Sequence, residues 1–230
     1  EEISETAVDM YRSIDGWTEF KTEDAIIKIK GEPSKKIKLK WSKNGPVLDK
    51  NTSQISDITP PNHEMALSWT MLSPKDTSMS ALINLPYSKD LTTALKSLEK
   101  HVAPSLNYTI IDKENIALQL AGKLPKRNKD HNTQGRLPSF GHVKKNRWLG
   151  YISYDNNPRF INPKRGLIAN TNNKILEEFF PNHISYDWGD SQRIERLNRL
   201  LESRKVHTRE SFLEAQLDTV SFPAKSLLPI

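Results

Sequence analysis

Between Ile27 and Trp41 the chain alternates. Ile27, Ile29, Ile37, Leu39 and Trp41 stand at odd positions, with Lys28, Lys30, Lys36, Lys38 and Lys40 at even ones. Successive side chains of an extended strand point to opposite faces, so a period of two is a strand pattern that no helix can hold on one side. Gly31-Glu32-Pro33-Ser34 breaks the run with turn residues. Two strands are therefore expected, near 24 to 30 and 36 to 42, apolar on one face and charged on the other. These lysines contribute to a formal net charge of +6 and a pI near 9.3. A basic balance invites a nucleic-acid reading. Lysines spaced one per pleat instead describe a solvated sheet face that discourages edge-to-edge pairing, and that reading is preferred to phosphate binding.

A chain of 230 residues has room for one large domain or two small ones. Only 36% of it is hydrophobic and 27% is charged, with a mean hydropathy of −0.65. This composition suits a soluble protein whose surfaces lie against further segments of a longer polypeptide. No apolar run approaches the roughly 18 residues of a spanning helix. Glu1 is not an initiating Met and no signal peptide follows it, so the sequence is expected to be a piece of something longer. There is no Cys, which excludes disulfides, thiolate catalysis and Cys-based zinc sites.

Beyond the lysine-rich pair, residues 1 to 20 read as an irregular lead-in and 49 to 62 as a surface loop. Residues 65 to 72 and 80 to 85 read as buried strands. Leu91, Ala94, Leu95, Leu98 and Val102 share one helical face behind Asp90. A hairpin is expected over 108 to 111 and 116 to 120, a long basic loop over 123 to 147, and helices over 192 to 204 and after Thr208. Strands, helix, strands, then helices argue an α+β fold.

Several chemistries lack their motifs. The nine glycines form neither GxGxxG nor a phosphate loop, and Gly189-Asp190-Ser191-Gln192-Arg193 fails as a nucleophile elbow at its last position. The histidines, at 63, 101, 131, 142, 183 and 207, form no HxxxH pair. The segment Asn162-Pro163-Lys164-Arg165-Gly166-Leu167-Ile168-Ala169-Asn170-Thr171-Asn172-Asn173 is more informative. A turn signal feeds an apolar run that ends in clustered amides, so a strand is expected to deliver neutral donors to its end. Such amides either cap their own turn or hold an oxyanion.

Around this segment stand Asn107-Tyr108, Asp112-Lys113-Glu114-Asn115-Ile116, Gly122, Leu124-Pro125, Gly135-Arg136-Leu137-Pro138 and Ile184-Ser185-Tyr186-Asp187-Trp188-Gly189-Asp190-Ser191-Gln192-Arg193-Ile194-Glu195-Arg196-Leu197. In this order the chain resembles the penicillin acylase family of N-terminal nucleophile hydrolases, as an interior part of the large subunit. The resemblance is specific from about Trp69 to Ser221. Before Trp69 it rests on Trp17, the lysine-rich strands and Asn44-Gly45-Pro46-Val47.

The resemblance implies part of an αββα sandwich of antiparallel sheets, incomplete in this chain. Residues 1–230 are expected to form a single fragment, with a strand-rich basic lead-in over 1–62 and a core segment over 63–230 that carries the oxyanion strand. It further implies cleavage of the amide bond of N-acyl compounds such as penicillins or cephalosporins, and self-processing before a Ser nucleophile. It also implies export to the periplasm or cell exterior, and the rest of the precursor as partner. Position by position, Asn172 matches the oxyanion-hole asparagine and Arg193 the arginine that orients it; a helix-start salt bridge is the plainer reading of Arg193. Leu106 matches a wall of the acyl pocket, or is a core leucine. Gly135 and Asn182 fall near positions that ligate a structural calcium in some members. Asn182 stands where those members carry Asp, so no calcium and no other cofactor is expected. Asn44 replaces a common His before Gly-Pro-Val, and Thr171 a differently sized residue. No Gly-Ser, Gly-Thr or Gly-Cys pair occurs, so the nucleophile is expected outside this chain and the fragment alone to be inactive. The alternatives are an acyl-homoserine lactone acylase and a non-catalytic basic binding module.

Overall fold

In a computed structural model, residues 1–52, 54–176 and 180–228 are described. In chain order the strands are β1 (Met10–Ser13), β2 (Gly16–Glu19), β3 (Lys21–Ile27), β4 (Lys35–Ser42), β5 (Gly45–Pro46), β6 (Leu106–Ile111), β7 (Ile116–Ala121), β8 (Pro125–Arg127), β9 (Trp148–Tyr151) and β10 (Arg159–Ile161). The helices are α1 (Ile55–Ile58), α2 (Ser78–Asn84), α3 (Leu91–Leu98), α4 (Gln192–Glu202), α5 (Arg209–Gln216) and α6 (Phe222–Leu227). All strand pairs are antiparallel, as an α+β chain requires. None of the described helices is long and apolar enough to cross a membrane.

The chain divides into two compact units. One comprises Glu1–Thr77, Val102–Pro104 and Lys123–Ile152. Here β3 and β4 pair from Lys21↔Trp41 to Ile27↔Lys35, the hairpin that the alternation predicts. Its apolar face stays open: Ile27 is 47% and Leu39 38% exposed. The lead-in is a correction, since residues 10 to 19 pair as the β1–β2 hairpin around Gly16, whose φ of +106° suits glycine alone. Tyr11 and Phe20 are buried against each other with ring centroids 4.6 Å apart. Lys40 lies 4.5 Å over the Phe20 ring and bonds Glu64 at 3.0 Å, so the charged face is anchored at one end. Residues 65 to 72 do not form a strand. They make a single bridge, Val47↔Ala66, then one 3-10 turn at Thr70–Leu72. The long loop contains β8, paired to β9.

The other unit comprises Ser78–His101, Ser105–Gly122 and Ser153–Ile230. Its sheet runs β10-β7-β6. The central strand β7 is buried from Ala117 through Ala121, which needs cover on both faces. α3 supplies part of it through buried Leu91, Ala94 and Leu98. The single polar side chain within this stretch, Gln119, is satisfied: Arg159 Nε donates to its Oε1 and its own Nε2 donates to Leu120 O. Tyr154 donates to Leu95 O at 2.9 Å, and burial pushes its phenol up to about 12. Residues 80 to 85, expected as a strand, lie mostly in α2. A short apolar run fits a strand or a packed helix equally, and Pro86 stops this one after two turns.

Asp112 ties the helix to the hairpin. Its carboxylate accepts N–H bonds from Glu114 at 2.9 Å, Leu91 at 2.9 Å and Asn115 at 2.7 Å, and these donors hold its pKa down at about 2. A depressed carboxylate contributes stability that is full above its ordinary value of 3.8 and lost as pH falls through about 2. Thermal melts between these limits should therefore show a stability decline that Asp112→Asn flattens.

Candidate active site

The asparagine segment begins locked to the β6–β7 turn. Asn162 accepts the Ile116 N–H at 3.0 Å and donates to Asn115 Oδ1 at 2.8 Å. Gly166 then turns the chain with φ +67°. Residues 167–169 are half-buried and, with Leu118, Phe160 and Ile194, border a cavity of about 410 Å³. Residues 166–173 form no strand, which corrects the expected oxyanion strand. Side-chain amides take the bonds a ladder would use: Asn170 Oδ1 accepts the Asn172 N–H at 3.2 Å, and Asn173 Oδ1 accepts the Thr171 N–H at 3.0 Å. Local amide-to-backbone bonds compete with sheet formation. The first of them closes an Asx turn that holds Asn172 in the left-handed region, φ +66°.

Arg193 reaches this turn from the first turn of α4. Its Nη1 donates to Asn172 Oδ1 at 3.3 Å. A guanidinium can only donate, so the bond fixes which end of the amide is which and leaves Nδ2 as an outward donor. Ile194, Leu197 and Leu201 sit at helical spacing on α4 and are half-buried or buried. Arg196, one turn beyond Arg193, pairs side-on with Asp218 through bonds of 2.9 and 2.6 Å. The pairing lowers the Asp218 carboxyl and raises the Arg196 guanidinium. Arg199 stacks 4.4 Å over Phe222, fastening α4 to α6. Thr171, Arg193, Arg196, Asp218 and Phe222 border a cleft of about 640 Å³.

Thus Asn172 and Arg193 meet although 21 positions apart. Leu106 opens β6 opposite Ala121, 43% exposed, and does not line that cleft. Gly135 has φ +85°, and a Cβ there would meet the Arg127 guanidinium at 2.6 Å. A cation already lies against that backbone, and Asn182 is neutral, so these residues do not fit calcium. Among the described residues no group of three or more acidic, His or Cys side chains could hold a metal. Asn44 donates to Glu1 Oε1 at 2.8 Å, and Thr171 Oγ1 lies 3.5 Å from Asn173 Oδ1. Asn170 and Asn173 cap their own turn, one of the two readings the sequence offers, whereas the Arg196–Asp218 pair has no local signal in the sequence.

The penicillin amidase family profile matches residues 1–230. An acyl-homoserine lactone acylase, QuiP, of Pseudomonas syringae pv. tomato is 28% identical over 171 residues, 74% of this chain and 20% of that protein. Penicillin G acylase of Escherichia coli is 31% identical over 91 residues, 39% of this chain and 10% of that protein. The solved thermostable penicillin G acylase from Alcaligenes faecalis superposes with a TM-score of 0.79 at 21% identity, covering 94% of this chain and 37% of that one, a likeness of fold. The chain spans about a fifth of the length of the first curated relatives it matches.

The left-handed backbone at Asn172 separates two substitutions. Glycine accepts φ +66° without a Cβ clash, whereas alanine in that region costs about 1 kcal/mol. Asn172→Gly should therefore unfold at higher urea than Asn172→Ala, by about 1 kcal/mol, although both lose the acceptor for Arg193.

Proposed function

The chain belongs to the penicillin amidase family, and from that membership we propose that its parent polypeptide hydrolyses the amide bond of N-acyl compounds, with Asn172 as an oxyanion donor and Arg193 as its positioning residue. The bond from Arg193 Nη1 to Asn172 Oδ1 is the observation that supports this reading. In the proposed reaction an N-terminal Ser outside residues 1–230 attacks the carbonyl, its own α-amine taking the proton. Negative charge then gathers on the carbonyl oxygen, where Asn172 Nδ2 donates to it. Collapse expels the amine, and water releases the acid. Leu106 is proposed as a wall for the acyl group. The remainder of the precursor is the proposed partner, self-cleavage the proposed maturation, and the periplasm or cell exterior the proposed location.

Within amide hydrolysis, penicillin-type substrates compete with acyl-homoserine lactones. The second reading gains support from relatives of that name, one of which matches 74% of this chain against 39% for penicillin G acylase of Escherichia coli. Comparing turnover of a phenylacetyl anilide and a fatty-acyl homoserine lactone by the processed parent decides between them. A binding module that keeps the fold without catalysis predicts turnover of neither, and no Gly-Ser junction ahead of this segment.

Steady-state kinetics test the roles. Asn172→Ala in the processed parent should lower kcat roughly a hundred- to a thousandfold with KM nearly unchanged, because the amide serves charge present mainly in the transition state. Arg193→Leu should lower both kcat and stability. Arg193→Lys should rescue only in part, since it keeps the charge but loses the planar fork. A wild-type kcat for Asn172→Ala would remove the functional reading. Residues 1–230 alone, assayed with a chromogenic acyl anilide, should show no turnover.

A further inference from the structure

In the unit that contains β1 to β5, the turn that follows β8 is built around one imidazole. His131 is buried, 7% exposed. Its Nδ1 accepts two backbone N–H groups, from Thr133 at 3.2 Å and from Gln134 at 3.1 Å. A ring nitrogen that accepts carries no proton, so these bonds require the neutral imidazole. Gln134 needs the support, because its φ of +52° puts a residue with a Cβ in the strained left-handed region. Its side chain adds bonds to Asn128 O at 2.8 Å and Lys129 O at 3.0 Å. Thr133 Oγ1 in turn donates to Leu137 O at 2.8 Å, which carries the order imposed by His131 through to residue 137.

The surroundings oppose a charge on this ring. Burial, and then the Arg127 guanidinium of β8, hold its pKa below the ordinary 6.5; hydrogen bonding to the Asn146 and His131 backbone acts the other way and is outweighed. Among the described residues no carboxylate pairs with it within 4.0 Å. The other charged groups nearby in the chain are Lys129 and Asp130 on the turn, Arg136 after it, and Lys144 and Lys145 on the 3-10 turn Lys144–Asn146. All five are exposed, where water and salt screen them. We propose that His131 is a pH latch on residues 131–137: the neutral ring holds the turn closed, and a proton taken from solvent at Nδ1 sets N–H against the Thr133 and Gln134 N–H groups and opens it. A histidine whose folded pKa is depressed contributes stability that is full above 6.5 and lost as pH falls below it, through the folded value. Strain at Gln134 favours release once the acceptor is gone. The opening is bounded at one end, because the Asn132 N–H bonds Asn146 Oδ1 at 3.1 Å and that amide does not titrate.

The test is amide hydrogen exchange of the full-length polypeptide, read by mass spectrometry on peptides spanning 131–137 and corrected for the intrinsic rate at each pH. Protection there should fall by up to about tenfold per pH unit below 6.5, while the peptide containing β9 keeps its protection. His131→Asn offers Oδ1 as an acceptor at every pH, so its turn should stay protected with no pH dependence. His131→Phe offers no acceptor, and its turn should exchange fast at neutral and acid pH alike. Should the Asn variant fail to fold, exchange of the imidazole C2 hydrogen in the wild type gives the titration of His131 itself. Its midpoint should lie below 6.5 and coincide with the loss of protection. The proposal is overturned if the wild-type turn is protected equally at neutral and acid pH, if His131→Asn loses protection in step with the wild type, if His131→Phe stays closed, or if His131 titrates at or above 6.5.

Discussion

Where the chain makes no ladder, side-chain amides can take over the bonding of backbone N–H groups and set the local conformation. Between Gly166 and Asn173 this substitution shapes the site. Asn170 and Asn173 accept the N–H groups of Asn172 and Thr171. That pairing replaces a ladder, turns Asn172 left-handed and presents its amide where Arg193 can reach it. The turn stays in place because its two ends are fixed elsewhere. Asn162 is bonded to the β6–β7 turn, and α4 is held through Arg196–Asp218 and the Arg199–Phe222 stack. The position of one amide thus depends on bonds between residues as far as 47 positions apart in sequence.

Much of this was legible in the sequence, for reasons that can be named. The β3–β4 hairpin followed from alternation, and α3 from Asp90 ahead of an apolar face; Asp90 accepts the Thr93 N–H at 2.8 Å in a capping box. Thr208 caps α5 in the same way. Periodicity failed where runs were short. Residues 80 to 85 became a helix because a run with four apolar residues carries no period of its own. The apolar run at 167–169 looked like a strand because its burial was read as pairing, whereas the side chains pack without any ladder. The meeting of Asn172 with Arg193 came from family resemblance, since no local pattern links an asparagine turn to a helix that begins 20 residues later.

The lysine-rich hairpin leaves much of its apolar face open. The hairpin's register places Ala25, Ile27, Ile37, Leu39 and Trp41 on one side, and much of that side is exposed. The central strand β7, by contrast, is buried and its Gln119 is paired.

The same consideration sets the strength of the proposed oxyanion contact. Arg193 and Asn172 are both exposed, and at 3.3 Å in water their bond is screened and weak. Its value is therefore geometric before it is energetic: Arg193 occupies the amide oxygen, so the amide hydrogens are the groups left facing outward. A lysine or arginine in place of Asn172 would bring a full charge that binds any anion, substrate carboxylate included, before reaction. A neutral amide backed by a cation discriminates better, because it responds most to charge that concentrates on one oxygen during the reaction. Covering the pair with further chain would remove water from both, and the lower local dielectric would strengthen the dipole and the charge together. The turn sets the direction of the amide; in the proposed reaction, the cover above it would set how strongly it acts.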